Sequence, residues 1–472
     1  MKGFKSYENY KSSGISWLGK IPEHWEVKRI KYIFTEQDKR SVNGLEELLS
    51  VSHYTGVTKK SDRFKIGEEI SNAKTLIGYK IVTEGDLVMN IMLAWNGSLG
   101  ISKYYGITSP AYCVFRSLIG GERYFGYLFR TKNAQQEFKK QSTGIIESRL
   151  RLYPDKFFNI KTAIPSAEEQ TAIANFLDYK IAKIDRFIRK KKQLIKLLNE
   201  QKAAIINQAV TKGLDPTFEM RNSGIDWLGQ IPEHWETSKL AGVSTFIRGN
   251  SSFKKDELLS DGKFVALQYG KTYKIDQVDE NYQFFVNDEF YKASQVVNFG
   301  DIIIVSTSET IEDLGHSAFY NRLDKGLLGG EQMLVRPIDD KLNGKYLFYS
   351  SKVFTKELKK FATGVKVYRF NINDLKIIYI ALPTIQEQQE IVSYIETESQ
   401  RINKTISTIE KEITLTQEYK TALITEAVTG KIDVRDFVFP EVVEEETYEE
   451  LEEELNMVAE DEGEYGNEDL EE

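Results

Sequence analysis

The chain has 472 residues, 41% of them apolar and 12% aromatic, enough to bury the cores of two to four domains. One cysteine, Cys113, excludes an internal disulfide and any multi-cysteine zinc site, and four histidines leave little for metal chemistry. The formal charge of −8 hides an asymmetry: residues 441–472 hold seventeen acidic residues and no Lys or Arg, leaving 54 acids against 63 bases, or +9, for residues 1–440. A basic body suits a polyanion such as nucleic acid, although a merely lysine-rich surface would give the same charge. No apolar run approaches the roughly 18 residues of a membrane span, and the opening MKGFKSYENYKSSG lacks an apolar signal core, so the expected location is the cytoplasm.

In chain order, the first distinctive stretch is SGISWLGKIPEHWE (13–26), which returns as SGIDWLGQIPEHWE (223–236) with twelve of fourteen positions identical. The two copies hold four of the five tryptophans, Trp17, Trp25, Trp227 and Trp235. His24 and His234 recur within them, in a Pro-Trp setting that reads as a packed turn rather than a catalytic site. Other pairs follow: GDLVMN (85–90) with GDIIIV (300–305), KKQSTG (139–144) with KKFATG (359–364), IPSAEEQTAI (164–173) with LPTIQEQQEI (382–391), and AAIINQAVTKGLD (203–215) with TALITEAVTGKID (421–433). Arg149 and Arg369 each stand five residues after the glycine of the Thr-Gly pair. Similarity this long predicts two structurally equivalent halves.

Each half begins with short runs rich in Tyr, Phe, Val, Ile and Gly that read as strands and turns: LLSVSHYTGV (48–57), KIVTEGDLVMNIML (80–93), KFVALQYG (263–270) and FGDIIIVSTSE (299–309). The runs 124–141 and 345–360 read as helices. Ser166-x-x-Glu169 after Pro165, and Thr384-x-x-Glu387 after Pro383, are capping boxes that open two helices of roughly 45 residues. A heptad seam follows: Ile181, Ile184, Ile188, Ile195, Leu198, Ile205 and Ala209, then Ile395, Ile402, Ile406, Ile409, Ile413, Leu423 and Ala427. Lys202 and Lys420 interrupt the two seams, either to fix register or as snorkelling edge residues.

The expected architecture is α+β. Residues 1–165 form a first globular domain, 166–212 a long helix, 213–383 a second globular domain, 384–430 a second long helix and 431–472 a C-terminal segment. The long helices are expected to pair as an antiparallel coiled coil in a pseudo-two-fold arrangement. Because VTGKIDVRDFV (428–438) aligns with VTKGLDPTFEM (210–220), the chain should finish beside its own N-terminal segment, giving a nearly circular layout. The acidic tail is expected to be disordered, with a short helix around 447–460 that forms against a partner, or with a role in competing for the basic body.

Catalytic signatures are missing: there is no G-x-x-x-x-G-K-[ST], H-E-x-x-H or G-x-S-x-G, and LDPTF (214–218) only grazes the Asn/Asp-Pro-Pro-Tyr/Phe pattern of adenine methyltransferases. The paired WLG-x-IPEHWE peptides, the T-G-x4-R element from Thr143 to Arg149, and the P-x3-E-Q helix starts (Pro165 to Gln170, Pro383 to Gln388) together resemble the specificity subunits of type I restriction–modification systems. The resemblance covers about residues 5–438; the acidic tail is a departure from it. It implies two target recognition domains, each reading one half of a split sequence in double-stranded DNA. It implies a helical spacer that docks two modification subunits, joined in some systems by translocating restriction subunits. By the same resemblance, this chain binds no cofactor or metal, and S-adenosylmethionine and adenine-N6 methyl transfer belong to the partner. The repeated peptide would be the common frame seating each domain on its helix.

Candidate DNA-binding residues are Tyr54, Lys59, Lys60, Arg63, Thr143 and Arg149 in the first domain, and Tyr269, Lys271, Lys274, Thr363, Lys366 and Arg369 in the second. They are the cations, hydroxyls and rings that meet phosphates and base edges. The plain alternatives are solvated lysines and, for the two arginines, internal salt bridges. Two other classes remain at this stage: a coiled-coil scaffold that ignores DNA, and an acidic-tailed DNA mimic, against which the basic body argues.

Overall fold

The computed structural model describes residues 4–63, 73 and 75–439. The acidic tail therefore lies outside the described residues, and so do the expectations placed on it. The chain divides into two units, residues 1–190 with 412–472 and residues 191–411. Each unit contains one head, the start of one long helix and the end of the other. The helices span Ala167–Lys212 and Ile385–Val428, 46 and 44 residues. Among the described residues, no helix is long and apolar enough to cross a membrane.

In the first unit a four-stranded antiparallel sheet runs in the order Phe34–Gln37, Cys113–Ser117, Leu87–Met89, Leu99–Ile101. A hairpin, Leu49–Ser52 with Gly56–Lys59, and the pair Lys80–Val82 with Gly106–Thr108 lie beside it. In the second unit the corresponding sheet has five strands: Ser244–Arg248, Gln332–Pro337, Ile302–Val305, Ser317–Tyr320 and Gln277–Val278. There the hairpin gives way to a four-stranded sheet built from Phe285–Val286, Phe264–Leu267, Gly326–Leu328 and Val296–Val297. The central strands are fully buried aliphatic runs, as a sheet covered on both faces requires.

The Gly-Asp pairs fix the turn entering each central strand. Gly85 and Gly300 adopt φ of 87° and 90°, a left-handed conformation that costs glycine nothing. Asp86, 1% exposed, then accepts from Arg116 Nε at 2.8 Å, and Asp301, 2% exposed, accepts from Arg336 Nε at 2.9 Å. A buried carboxylate needs such a partner. Neither arginine stood out in the sequence.

Two elements differ from expectation. The 124–141 run forms two helices, Glu122–Phe129 and Lys132–Gln141, because Thr131 turns extended and its hydroxyl accepts from Ala134 N to start the second. The strand in 263–270 stops at Leu267, and Tyr269–Thr272 coils into a single helical turn.

The repeated peptide is a joint between head and helices. Trp25 and Trp235 are 0% and 1% exposed. Strand Glu26–Arg29 pairs with Lys161–Ile164, which leads directly into the first long helix, and Glu236–Lys239 pairs with Tyr379–Leu382, which leads into the second. His24 Nε2 lies 2.9 Å from Glu169 Oε2, and His234 Nε2 lies 2.8 Å from Glu387 Oε1. The second helix has the full reciprocal cap between Thr384 and Glu387. At the first, Ser166 Oγ caps Glu169 N, but the Glu169 carboxylate is taken by Tyr7 and His24 instead of returning to Ser166 N. Each joint also grips the end of the other helix. Tyr124 Oη donates to Val428 O at 3.0 Å, and Tyr346 Oη donates to Val210 O at 3.2 Å. These carbonyls are the last-turn acceptors that a helix leaves without internal partners.

Within the first unit Ile173, Phe176 and Leu177 share a core with Leu423, Ala427 and Val428; within the second, Ile206, Ala209 and Val210 share one with Ile391, Val392 and Ile395. Buried and half-buried positions on the first helix alternate by three and four without a break, 174, 177, 181, 184, 188, 191, 195, 198, 202, 205 and 209, and the second helix repeats them from 392 to 427. Ile188 and Ile402 are buried, and Ile181, Ile195, Ile406, Ile413, Lys202 and Lys420 are half-buried. The C-terminal segment does return to the N-terminal one: Asp433 N donates to Lys5 O at 2.8 Å, and Arg435 sits 5.0 Å over the Tyr7 ring.

Candidate nucleic-acid interface

In the second head an open cleft of about 430 Å³ gathers Arg248, Tyr269, Thr307, Glu331 and Arg369. Buried amides tie its floor together. Gln332, fully buried, donates to Leu267 O at 2.8 Å and accepts from Thr272 Oγ1 at 2.7 Å. Gln295, also buried, accepts from Asn250 N at 2.9 Å. Glu331 holds φ 61°, the one non-glycine left-handed residue among those described, a strain that the surrounding backbone must over-determine. Tyr269 stacks on Tyr273 with ring centroids 5.5 Å apart. Burial is the first cause that pushes its hydroxyl pKa upward, so it remains a donor. Thr307 pairs with Arg369 across a two-residue ladder, which places the exposed guanidinium at the rim.

The other second-head candidates are outside this cleft lining. Lys271 Nζ is 4.7 Å from the Phe284 ring and Lys274 Nζ 5.1 Å from the Tyr273 ring. Thr363 and Arg369 exchange both backbone hydrogen bonds at 2.9 Å, with exposed Lys366 in the loop between.

In the first head Tyr54 is 74% exposed at the tip of the 49–59 hairpin. Arg130 holds that tip from below, Nη2 donating to His53 O at 2.8 Å and to Tyr54 O at 2.6 Å. Lys59 Nζ lies 5.4 Å over the Tyr104 ring, Lys60 N bonds Leu48 O at 2.8 Å, and Arg63 ends the short turn Ser61–Arg63. Thr143 and Arg151 exchange backbone bonds at 2.9 Å, the ladder made by Thr363 and Arg369 in the other head. By backbone register the partner of Arg369 is thus Arg151 and not Arg149. The equal spacing from the glycine misled because the first loop is two residues longer. Counting back from the helix gives the right match, fourteen residues from Arg151 to Pro165 and from Arg369 to Pro383. Arg149 is exposed on the extra turn Glu147–Arg149. No ion pair engages Arg149 or Arg369 among the described residues, which leaves both guanidinium groups open to an anion.

The duplicated frame thus carries two heads whose outer parts are built differently. Residues 232–415 match the family described as "Type I restriction modification DNA specificity domain". The type I restriction enzyme MjaVIII specificity subunit of Methanocaldococcus jannaschii is 28% identical over 448 residues, covering 89% of this chain and 96% of that protein. The putative MjaX specificity subunit of the same organism is 24% identical over 92% of this chain and 98% of its own. A solved chain from work on complex assembly and conformational transition of the type I R-M system shares the fold, with TM-score 0.64 at 16% identity over 87% of this chain and 99% of that one. The chain is thus similar along most of its length to specificity subunits of type I restriction enzymes, and the matched family domain lies in its second half.

Proposed function

We propose that this chain reads a bipartite target in double-stranded DNA, one half-site per head, and carries two modification subunits on its long helices. One observation supports this above others. The joint keeps its strand pairing, its His–Glu contact and its tyrosine bond to the other helix end in both units, whereas the outer parts of the heads differ, a hairpin in one and a four-stranded sheet in the other. A constant seat with variable heads is what two unlike half-sites demand of one reader. The lack of phosphate-loop and methyltransferase motifs supports a non-catalytic role, with S-adenosylmethionine and the adenine-N6 transfer in the partner and restriction subunits as optional company. The modification subunits would dock on the faces of 166–212 and 384–430 turned away from the seam.

Methylation sequencing of a host carrying the whole operon tests the reading. The expected result is adenine methylation in a motif of two defined blocks separated by an undefined spacer. A continuous motif, or methyl transfer by the purified chain free of partners, overturns it.

A further inference from the structure

The two Thr-Gly loops share a feature that the frame does not need. Ile145 is 99% exposed and its neighbour Ile146 53%, while Val365 is 91% exposed and Val367 37%. Scattered exposed aliphatics are ordinary. A nearly naked β-branched residue directly after the same glycine in both heads is not scatter, because the outer loops of these heads otherwise differ.

The backbone holds each tip out. Thr143 with Arg151, and Thr363 with Arg369, close the loop necks with paired 2.9 Å hydrogen bonds. Gly144 and Gly364 adopt φ of 152° and 114°; a Cβ there would come within 2.5 Å of Arg149 O and 2.0 Å of Val367 O. Each loop therefore crosses over itself at the glycine and projects the next side chain. Cations stand near each tip in sequence: Lys140 precedes and Arg149 follows Ile145, while Lys366 and Arg369 follow Val365, and all four are exposed. The nearest carboxylate in the first loop, Glu147, is already paired with Lys139.

We propose that Ile145 and Val365 are wedges that press into the base stack of the two half-sites while the flanking cations hold the phosphates on either side. The occupant follows from the charge: an apolar protein partner would not call for two exposed cations in each loop, whereas apolar side chains entering a groove between held phosphates are a recurrent way of engaging a duplex. This inference rests on the DNA-reading role proposed above and adds how each head meets bases.

The test uses the complete complex with its modification subunits and a duplex bearing the motif found by methylation sequencing. 2-Aminopurine is placed in turn at each step of one half-site. With the wild-type complex, fluorescence should rise at one step per half-site. Ile145→Asn should abolish the rise in one half-site and Val365→Asn in the other. Each should weaken specific binding by about tenfold, within the range for a lost base contact, without changing the salt slope that reports phosphates. Both side chains are exposed, so folding is unaffected, and circular dichroism checks this. A wild-type complex that fails to prefer the motif defeats the DNA-reading role itself. Preference retained with no fluorescence change, or variants that impair subunit assembly and leave DNA affinity intact, overturns the wedge.

Discussion

Lys420 on the second long helix places its ammonium 2.5 Å from the carboxylate of Asp185 on the first, and the equivalent Lys202 reaches Asn403 Oδ1 at 3.3 Å. The two contacts are one contact repeated, since Asp185 and Asn403 occupy matching positions, yet only one joins opposite charges. Lys420 and Asp185 are about a third exposed, so their ion pair contributes no more than about 1 kcal/mol. Lys202→Leu should stabilise by about 1 kcal/mol, because a seam position gains apolar burial, the bond lost is to a neutral amide, and the attraction Lys202 exerts on Asp276 is offset by its repulsion of Lys352. Lys420→Leu should be close to neutral, its burial offset by the stranded Asp185. Urea unfolding of the two variants compares them directly, and equal effects would contradict the asymmetry.

Gly430 ends the second helix with φ 70°, and a Cβ there would stand 2.4 Å from Pro22 Cδ and 3.0 Å from the Trp25 ring. Gly14 has φ 66° with nothing within 4 Å. Gly14→Ala should cost about 1 kcal/mol, the strain of the left-handed backbone alone. Gly430→Ala should cost clearly more, because the proline ring cannot yield. Comparable thermal midpoints for the two would show that the joint is looser than its geometry.

His316 gives the second unit a pH dependence. Burial first, then Lys352, pushes its pKa below the usual 6.5, outweighing the Ile275 carbonyl and the carboxylates Asp276 and Asp313. The folded form therefore holds a neutral ring, with Nε2 donating to Ile275 O at 2.8 Å. Below pH 6.5 the unfolded chain binds a proton that the folded chain refuses, so stability present above 6.5 falls with pH until the folded ring titrates too. His316→Gln should flatten that part of the curve. Urea midpoints at three pH values between about 7.5 and 5.5 measure it, and parallel curves for variant and wild type would remove His316 as the cause.

The last described residues run along the first long helix. Phe437 packs on Phe176 with centroids 4.8 Å apart, Phe439 on Tyr179 at 5.6 Å, and Lys180 Nζ stands 5.1 Å over Phe437. Phe439, the last described residue, thus lies on the Tyr179 ring that Lys180 and Lys183 also approach. Removing 441–472 should tighten binding to a duplex without the target motif, by a factor that shrinks as salt rises. A salt titration that superimposes for both proteins would leave the segment no part in holding off DNA.

Much of the frame could be read because it is written twice. The Trp-bearing peptide, the helix starts and the seam declared themselves by repetition. Arg151 did not, because Arg149 matched the glycine spacing and the loop insertion lay between two otherwise plausible anchors. Tyr124 and Tyr346 were invisible for a different reason: within an aromatic helix nothing distinguishes a tyrosine that fills a core from one whose hydroxyl closes a distant helix end. The break at Thr131 carries no Gly or Pro, and depends on a hydroxyl capping the next turn. The cleft of the second head draws on segments near 248, 269, 307, 331 and 369, a gathering that only the sheet order brings about.

The division of the chain has a consequence for its synthesis. The second unit is continuous, 191–411, and all of it has been made once residue 411 leaves the ribosome. The first unit is begun earlier but lacks Leu423, Ala427, Val428, Ile432 and Val434, which complete its core, until those residues too have been made. At roughly 5–20 residues per second, its 190 residues wait on the order of tens of seconds for their missing wall. The half made first is the half finished last, and its unsealed Trp25 joint is where a nascent chain stalled before residue 423 should attract chaperones.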